Sequence, residues 1–323
     1  MKLAILQRIL LGIVLIIAVI VLNFLLLQAA PGDIVDAMLA EGGGGSPELA
    51  AEMRARYGLD QPVYIQLFNY LTEVLSGNLG YSFHYDQPVT TLILGNLPTT
   101  LLLTLSALLL AVVIGTLFGV YAAIKPRGLF SHFVTVFSLL GYATPVFWLG
   151  MIVLLVFALH LPWFPAFGIR SIPEPETWFG RVLDVANHLV LPVFTLAILY
   201  LASYSRIARA SMLDVLGADY IRTARTKGLS EYVVIFKHAF RNAALPVVTL
   251  AGLQLGQVFS GAVLVETVFS LPGVGPLLYE SIVRRDFPVI LGVLFGAAAT
   301  TIVANIITDL VYGRLDPRIK SIT

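Results

Sequence analysis

Six stretches of this chain are apolar for longer than a soluble fold can easily bury: residues 9–27, 97–124, 133–160, 188–205, 243–269 and 289–312. A helix crosses the hydrocarbon core of a bilayer with about 20 apolar residues, so each stretch predicts a span. The runs are continuous and do not alternate, which argues against barrel strands. Lipid offers no partner to a free backbone group, so every span must be a helix. Composition agrees: 58% of residues are hydrophobic and 12% charged, against about 25% charged in soluble domains. The chain therefore reads as an all-α polytopic membrane protein with six transmembrane helices. Several runs exceed the minimum and imply tilt or protruding ends. The first run follows Lys2 and Arg8. It is longer than the apolar region of a signal peptide, and Ala29-Ala30-Pro31 makes a poor cleavage site, so it is read as a retained span.

Orientation follows from the Lys and Arg between the spans. With the amino terminus inside, Arg54, Arg56, Arg170, Arg181, Arg284 and Arg285 are the outer basic residues, and the rest of the 20 fall inside. Both termini are thus expected in the cytoplasm. The layout is a first helix at 1–27, an outer segment at 28–96, a five-helix core at 97–312 interrupted by a basic loop at 206–241, and a cytoplasmic tail at 313–323. In the outer segment, 41–46 is a Gly-rich tip. Asp60-Gln61-Pro62 then predicts a helix start with Asp60 as N-cap. Tyr64, Leu67, Phe68, Leu71 and Leu75 follow at helical spacing, and Gly77 closes the helix. Such a helix lies on the outer membrane surface or covers the mouth of a pathway.

Three spans carry a stripe of mostly small residues three or four positions apart. They are Ala107, Ala111, Gly115, Gly119 and Ala123 in the second; Thr249, Gly252, Gly256, Ser260, Val263 and Thr267 in the fifth; and Gly292, Gly296, Thr300, Ala304 and Thr308 in the sixth. Small residues let backbones approach, and close packing is the main association force in lipid. On the fifth span, Gln254, Gln257 and Gly261 lie opposite the small stripe at about 100° per residue. Amides facing lipid are costly, so this face either lines a polar translocation path or bonds to neighbouring helices. Asn305 and Asp309 sit one turn apart near the inner end of the sixth span, where a tie of Asp309 to the loop around Arg314 is expected. Glu266 stands near the outer end of the fifth. No Asp, Glu, Lys or Arg stands clearly at a midplane, which counts against a proton-relay carrier.

The chain has no cysteine, so disulfides and thiol chemistry are excluded. It shows neither H-E-x-x-H nor G-x-S-x-G, and its five histidines are scattered. A membrane enzyme is disfavoured, and no metal or cofactor is expected. With no G-x-x-x-x-G-K-[ST], ATP binding by a P-loop is not expected. The basic run lacks the signature of a nucleic-acid-binding fold.

The basic loop contains seven Lys or Arg between Arg206 and Arg241. Asp219 is placed to cap a helix of about two turns through Tyr220–Lys227. Gly228 fits the left-handed position that ends it, Ser230 can cap a second helix, and Leu245-Pro246 leads into the fifth span. Ile221, Ala224 and Arg225 share a face. Two turns alone are marginal in water, so the short helix needs a partner surface. Charge alone favours a loop that fixes topology and binds anionic lipid.

DYIRTARTKGL at 219–229, followed by Leu245-Pro246, resembles the coupling loop of bacterial ABC importer permeases. It is closest to the dipeptide, oligopeptide and nickel branch, whose usual form is near DYVRTARAKGL. The likeness extends over most of the chain: Pro31-Gly32-Asp33, Tyr57-Gly58-Leu59-Asp60-Gln61-Pro62, Gly77-Asn78-Leu79-Gly80-Tyr81-Ser82, Pro145-Val146-Phe147-Trp148-Leu149-Gly150, Glu266-Thr267-Val268-Phe269 with Pro272-Gly273-Val274-Gly275, and Leu315-Asp316-Pro317-Arg318. The resemblance implies a type I ABC importer permease of the inner membrane. Asp219, Tyr220, Ile221, Arg222, Thr223, Ala224, Arg225 and Gly228 would then form the joint to an ATPase on another chain. It further implies a second homologous permease, two cytoplasmic ATP-binding subunits and a solute-binding protein. Peptides are the implied cargo, with nickel, glutathione and other small solutes left open. A carrier or channel that works without nucleotide is the competing class.

Overall fold

The computed structural model describes residues 2–29, 32, 35, 36, 39, 44–56, 58–82, 84–256 and 262–315. They are helical almost throughout: α1 (Lys2–Ala29), α2 (Pro47–Arg56), α3 (Val63–Leu75), α4 (Val89–Ile124), α5 (Leu129–Ala143), α6 (Val146–Leu154), α7 (Trp178–Leu216), α8 (Asp219–Thr226), α9 (Phe240–Ala243), α10 (Leu245–Leu255), α11 (Val263–Val268), α12 (Val274–Arg284) and α13 (Phe287–Leu315). A π-helical turn, Leu155–His160, prolongs α6, and another, Val233–Ala239, leads into α9. A two-stranded antiparallel ladder pairs β1 (Tyr81–Ser82) with β2 (Gln87–Pro88).

Among the described residues, α4, α7 and the 287–308 part of α13 are long and apolar enough to cross a membrane. Two further candidates are bent pairs. The apolar part of α1, Leu10–Leu26, is shorter. The third apolar run is not the single helix its hydropathy predicts: α5 and the helix Val146–His160 meet at 103°. Thr144 is extended, with φ −83° and ψ 125°, and Pro145 follows it. Proline's ring disfavours a helical residue before it and removes the N–H that would continue the ladder. The fifth run begins at a bend. The helix over 233–243 bends by 45° into α10, where Pro246 occupies the first turn.

The chain divides into two compact units, Met1–Pro98 with Pro276–Ile302, and Thr99–Gly275 with Val303–Thr323. In the first unit, α3 packs on α1, with Phe24 against Tyr70 and Gln28 Nε2 donating to Gln66 Oε1 at 2.9 Å. Asp60 is not the cap of α3. The helix starts after Pro62 with no side-chain cap, and Asp60 lies in the preceding turn. Gly77 ends it in the left-handed region at φ +87°, as its position predicts. Tyr64, Phe68 and Leu75 on α3 stay exposed. The ladder is tied to the α12–α13 junction by Ser82 donating to Asp286, and Tyr85 in its turn donates to Glu280 of α12 at 2.9 Å. Burial, and then the Glu280 carboxylate, push the Tyr85 phenol up to about 12.

The second unit holds the main apolar core. Leu103, Leu189, Leu196, Val265 and Phe269 pack together with residues of α6. A second cluster around Tyr204, Ala208 and Val247 joins α4, α7 and α10. The small stripe of α4 explains how closely these helices pack. A side chain at Gly115 would meet Tyr204 Cβ at 2.8 Å, and one at Gly119 would meet Ala208 Cβ at 2.6 Å. Gly252 approaches Thr308 in the same way, joining two more of the predicted small-residue stripes, while Thr249 and Thr267 of that stripe are exposed. Asn305 is exposed. The side chain of Asp309, residues 41–43 of the Gly-rich tip, Pro31, Asp33, Tyr57 and Asp316–Arg318 lie outside the described residues.

Candidate functional site

The basic loop folds as a short helix, a turn and a second helix. Asp219 does not cap the first of these. It is the first helical residue, and the cap position belongs to Ala218, extended at φ −73° and ψ 148° with no side-chain bond. A carboxylate in the first turn still complements the positive end of the helix. Asp219 Oδ1 lies 3.6 Å from Arg222 NH1, both strongly exposed, so the pair adds little. Within the helix, Thr223 donates to the carbonyl of Asp219 at 3.0 Å, and Thr226 to that of Thr223 at 2.9 Å.

Gly228 follows at φ +77°, the left-handed geometry its position predicts. Among the described residues no atom lies within 4 Å of where a Cβ would stand, so conformation and not crowding requires the glycine. Ser230 precedes the second helix and accepts from the Val234 N–H through its backbone carbonyl at 3.0 Å.

The partner surface that a two-turn helix needs lies within the chain. Ile221 is 0% exposed and Ala224 7%. They pack with Val120 and Ala123 from the end of α4, Met212 from the end of α7, and Val234, Ile235 and Ala239 from the second helix. Full burial of one such aliphatic side chain from water is worth about 1.5–3 kcal/mol, enough to hold two turns in place. Asn242 adds a bond, its Nδ2 donating to the Tyr220 hydroxyl at 2.8 Å. Arg225 leaves the buried face and pairs with Glu231, Nε to Oε1 at 2.9 Å. Arg222, Thr223, Thr226 and Lys227 form an exposed, basic outer face. The helix is thus mounted on the ends of two long membrane helices, with its other side open.

The other expected positions are placed unevenly. Gln254 Oε1 accepts from the Tyr204 hydroxyl at 2.7 Å, a bond from α7 to α10. Gln257 and Gly261 lie outside the described residues. A feature not singled out by its chemistry in the sequence is the environment of Glu266, which is 0% exposed. Its carboxylate accepts from the Thr100 hydroxyl at 2.6 Å and the Gly275 N–H at 2.9 Å. Thr100 in turn accepts from the Val274 N–H at 2.9 Å. Gly273 packs its bare Cα against the same carboxylate. One buried acid thus ties α11, the 270–275 loop and the start of the α4 span. Thr100 is 166 positions away in sequence, so no local pattern points to the joint.

Comparison with known proteins bears on both the loop and the surrounding helices. The family described as "Binding-protein-dependent transport system inner membrane component" matches residues 115–321, and its N-terminal companion matches residues 1–104. The chain is 42% identical over 313 residues to the di/tripeptide transport system permease protein DppB of Pseudomonas aeruginosa, covering 93% of each. It is 38% identical to the oligopeptide transport system permease protein AppB of Bacillus subtilis, covering 98% of each. To the dipeptide transport system permease protein DppB of Escherichia coli it is 39% identical, again covering 98% of each.

Proposed function

The chain belongs to the binding-protein-dependent transport system inner membrane components, and from that premise we propose that it is one of two membrane-spanning halves of an ATP-driven importer of dipeptides or oligopeptides. It is a multi-pass protein of the bacterial inner membrane. In this reading six spans place both ends on the cytoplasmic side. A second, homologous permease completes the path, a solute-binding protein delivers cargo, and two ATP-binding subunits supply the energy. The peptide assignment draws on the relatives named above, which carry di/tripeptides, oligopeptides and dipeptides by name.

The observation that carries the mechanical part is the mounting of α8. Ile221 and Ala224 are sunk among the ends of α4 and α7, while Arg222, Thr223, Thr226 and Lys227 face outward. A push on the outer face is delivered to two long helices through packed side chains, which resist compression. Closure of the ATPases would move α8, and α4 and α7 would carry that movement across the bilayer. Gln254, Gln257 and Gly261 are the positions proposed to line the path. The bond from Tyr204 gives Gln254 a structural duty as well.

Reconstitution separates this function from its competitor. Liposomes carrying the full set of subunits should take up labelled dipeptide only with ATP and the solute-binding protein, and liposomes carrying this chain alone should take up none. ATP-independent uptake by the chain alone would identify a secondary carrier or channel instead. A cysteine scan over 254, 257 and 261 tests the path, and protection of all three from aqueous reagents in every nucleotide state would remove them from it.

A further inference from the structure

The end of α7 remote from α8 has no role in the account so far. The helix has 39 residues, and at 1.5 Å per residue it is about 58 Å long. That exceeds the hydrocarbon core of about 30 Å, and also the 40–45 Å that includes the headgroup layers. Arg206, exposed and with its guanidinium over the Tyr142 ring at 5.4 Å, marks the boundary toward α8. Counting about 20 residues back from it uses up the hydrocarbon. The first two turns, Trp178 to about Val185, are then left at the level of the opposite headgroups.

Those turns have two unlike faces. On one, Asp184 accepts from the Ser171 N–H at 2.8 Å and the Ser171 hydroxyl at 2.6 Å, and Val185, His188 and Leu189 turn inward. Arg181 donates to the carbonyls of Pro175 and Glu176 at 3.1 and 3.3 Å. This side is occupied by the preceding loop and the core. On the other, Trp178 is 77% exposed, Phe179 71%, Val182 48% and Leu183 60%. The four fall at i, i+1, i+4 and i+5, a single stripe. It continues through Ala186 and Val190 to Phe194, also exposed, into the membrane span, with the exposed Asn187 as a polar residue at its edge.

We propose that this stripe is a lipid-binding surface, an interfacial anchor seated in the headgroup and upper acyl region of the leaflet opposite α8. Two observations select lipid as the occupant. The stripe is continuous with the apolar flank of a helix that crosses the bilayer, and its aromatic residues stand at the point where that helix leaves the hydrocarbon. Tryptophan settles at this level, and Phe and Leu beside it suit the boundary of headgroups and acyl chains. Trp178 also carries an N–H that requires a polar neighbour, which headgroup and interfacial water supply.

The chain has no cysteine, so a nitroxide on a single introduced one reports on this chain alone once its partner subunits are cysteine-free. Phe179→Cys, Val182→Cys, Leu183→Cys and Val190→Cys would be labelled in the full chain with its copurifying subunits, reconstituted in phosphatidylcholine bilayers. Arg181→Cys and Glu176→Cys serve as controls on the other faces. Each variant is kept only if its melting profile matches that of the unlabelled protein. Collision rates with oxygen, which partitions into lipid, and with a nickel chelate, which stays in water, are then compared. The expected result is an oxygen-to-nickel ratio several-fold higher at 182 and 183 than at 176, rising further toward 190. High nickel accessibility at 179, 182 and 183 would overturn the proposal by placing the stripe in water. Protection from both reagents would overturn it by showing a protein partner over the stripe.

Discussion

Gly228 carries a constraint that a single substitution can read. Its φ of +77° costs an ordinary L-residue about 1–2 kcal/mol, and a β-branched one more. Gly228→Val should therefore distort the turn after α8 and lower ATP-driven uptake while the spans stay folded. Equal uptake and an unchanged melting profile would show that the turn tolerates the strain. Glu266 is the second residue whose surroundings fix its consequence. Glu266→Ala leaves the Thr100 hydroxyl and the Gly275 N–H without their acceptor, a loss of about 1–3 kcal/mol. Gly273→Ala drives a methyl into the carboxylate and should cost a similar amount by overpacking. Thermal unfolding in detergent checks both, with the two changes expected to be less than additive because they strike one joint. The two residues differ in how far the sequence exposed them. Gly228 was legible because a glycine closing a short polar helix has one common geometry. The bonds of Glu266 join segments far apart in the chain, and no local pattern announces Thr100 as a partner. Asp219 lies between these cases: an acid at a helix start is recognisable, but cap and first turn are one residue apart and both suit a carboxylate.

At the scale of elements, helix type and most span positions follow from hydropathy, while straightness does not. The run 133–160 is apolar throughout, so the 103° break at Thr144-Pro145 leaves no trace in its hydrophobicity. The signal was the X-Pro pair. The stripe of α4 was legible because small residues at every fourth position have one use in a packed bundle. Gly119→Leu should separate α4 from α7 where Gly119 now meets Ala208. Strain of about 1–3 kcal/mol is expected, read as a lower melting temperature; a neutral result would mean the two helices are not pressed together there. The Tyr204–Gln254 bond can be weighed by a double-mutant cycle of Tyr204→Phe and Gln254→Leu. A coupling of about 0.6 kcal/mol is usual for hydrogen bonds between membrane helices, and zero coupling would leave Gln254 free for the path. In α8, Ala224→Pro should break the second turn. ATP hydrolysis is expected to continue while uptake falls, and unimpaired uptake would count against a mechanical role for the helix.

For the whole molecule, family membership rests on likeness over nearly the full length, and the coupling proposal rests on one arrangement: a basic helix fixed by Ile221 and Ala224 to the ends of two long helices, with its other face open. The sequence already held the charge, the glycine and the marginal helix length, but not the surface that stabilises the helix. That surface is assembled from α4, α7 and the second helix of the loop, which no window of sequence contains. The most direct test is cross-linking in the intact inner-membrane assembly, with a single cysteine in place of Arg222 or Thr226. A covalent product with the ATP-binding subunit, its yield changing with nucleotide, is the predicted result. Modification of both positions from the periplasmic side, or no product from either in an assembly that still transports, would contradict it.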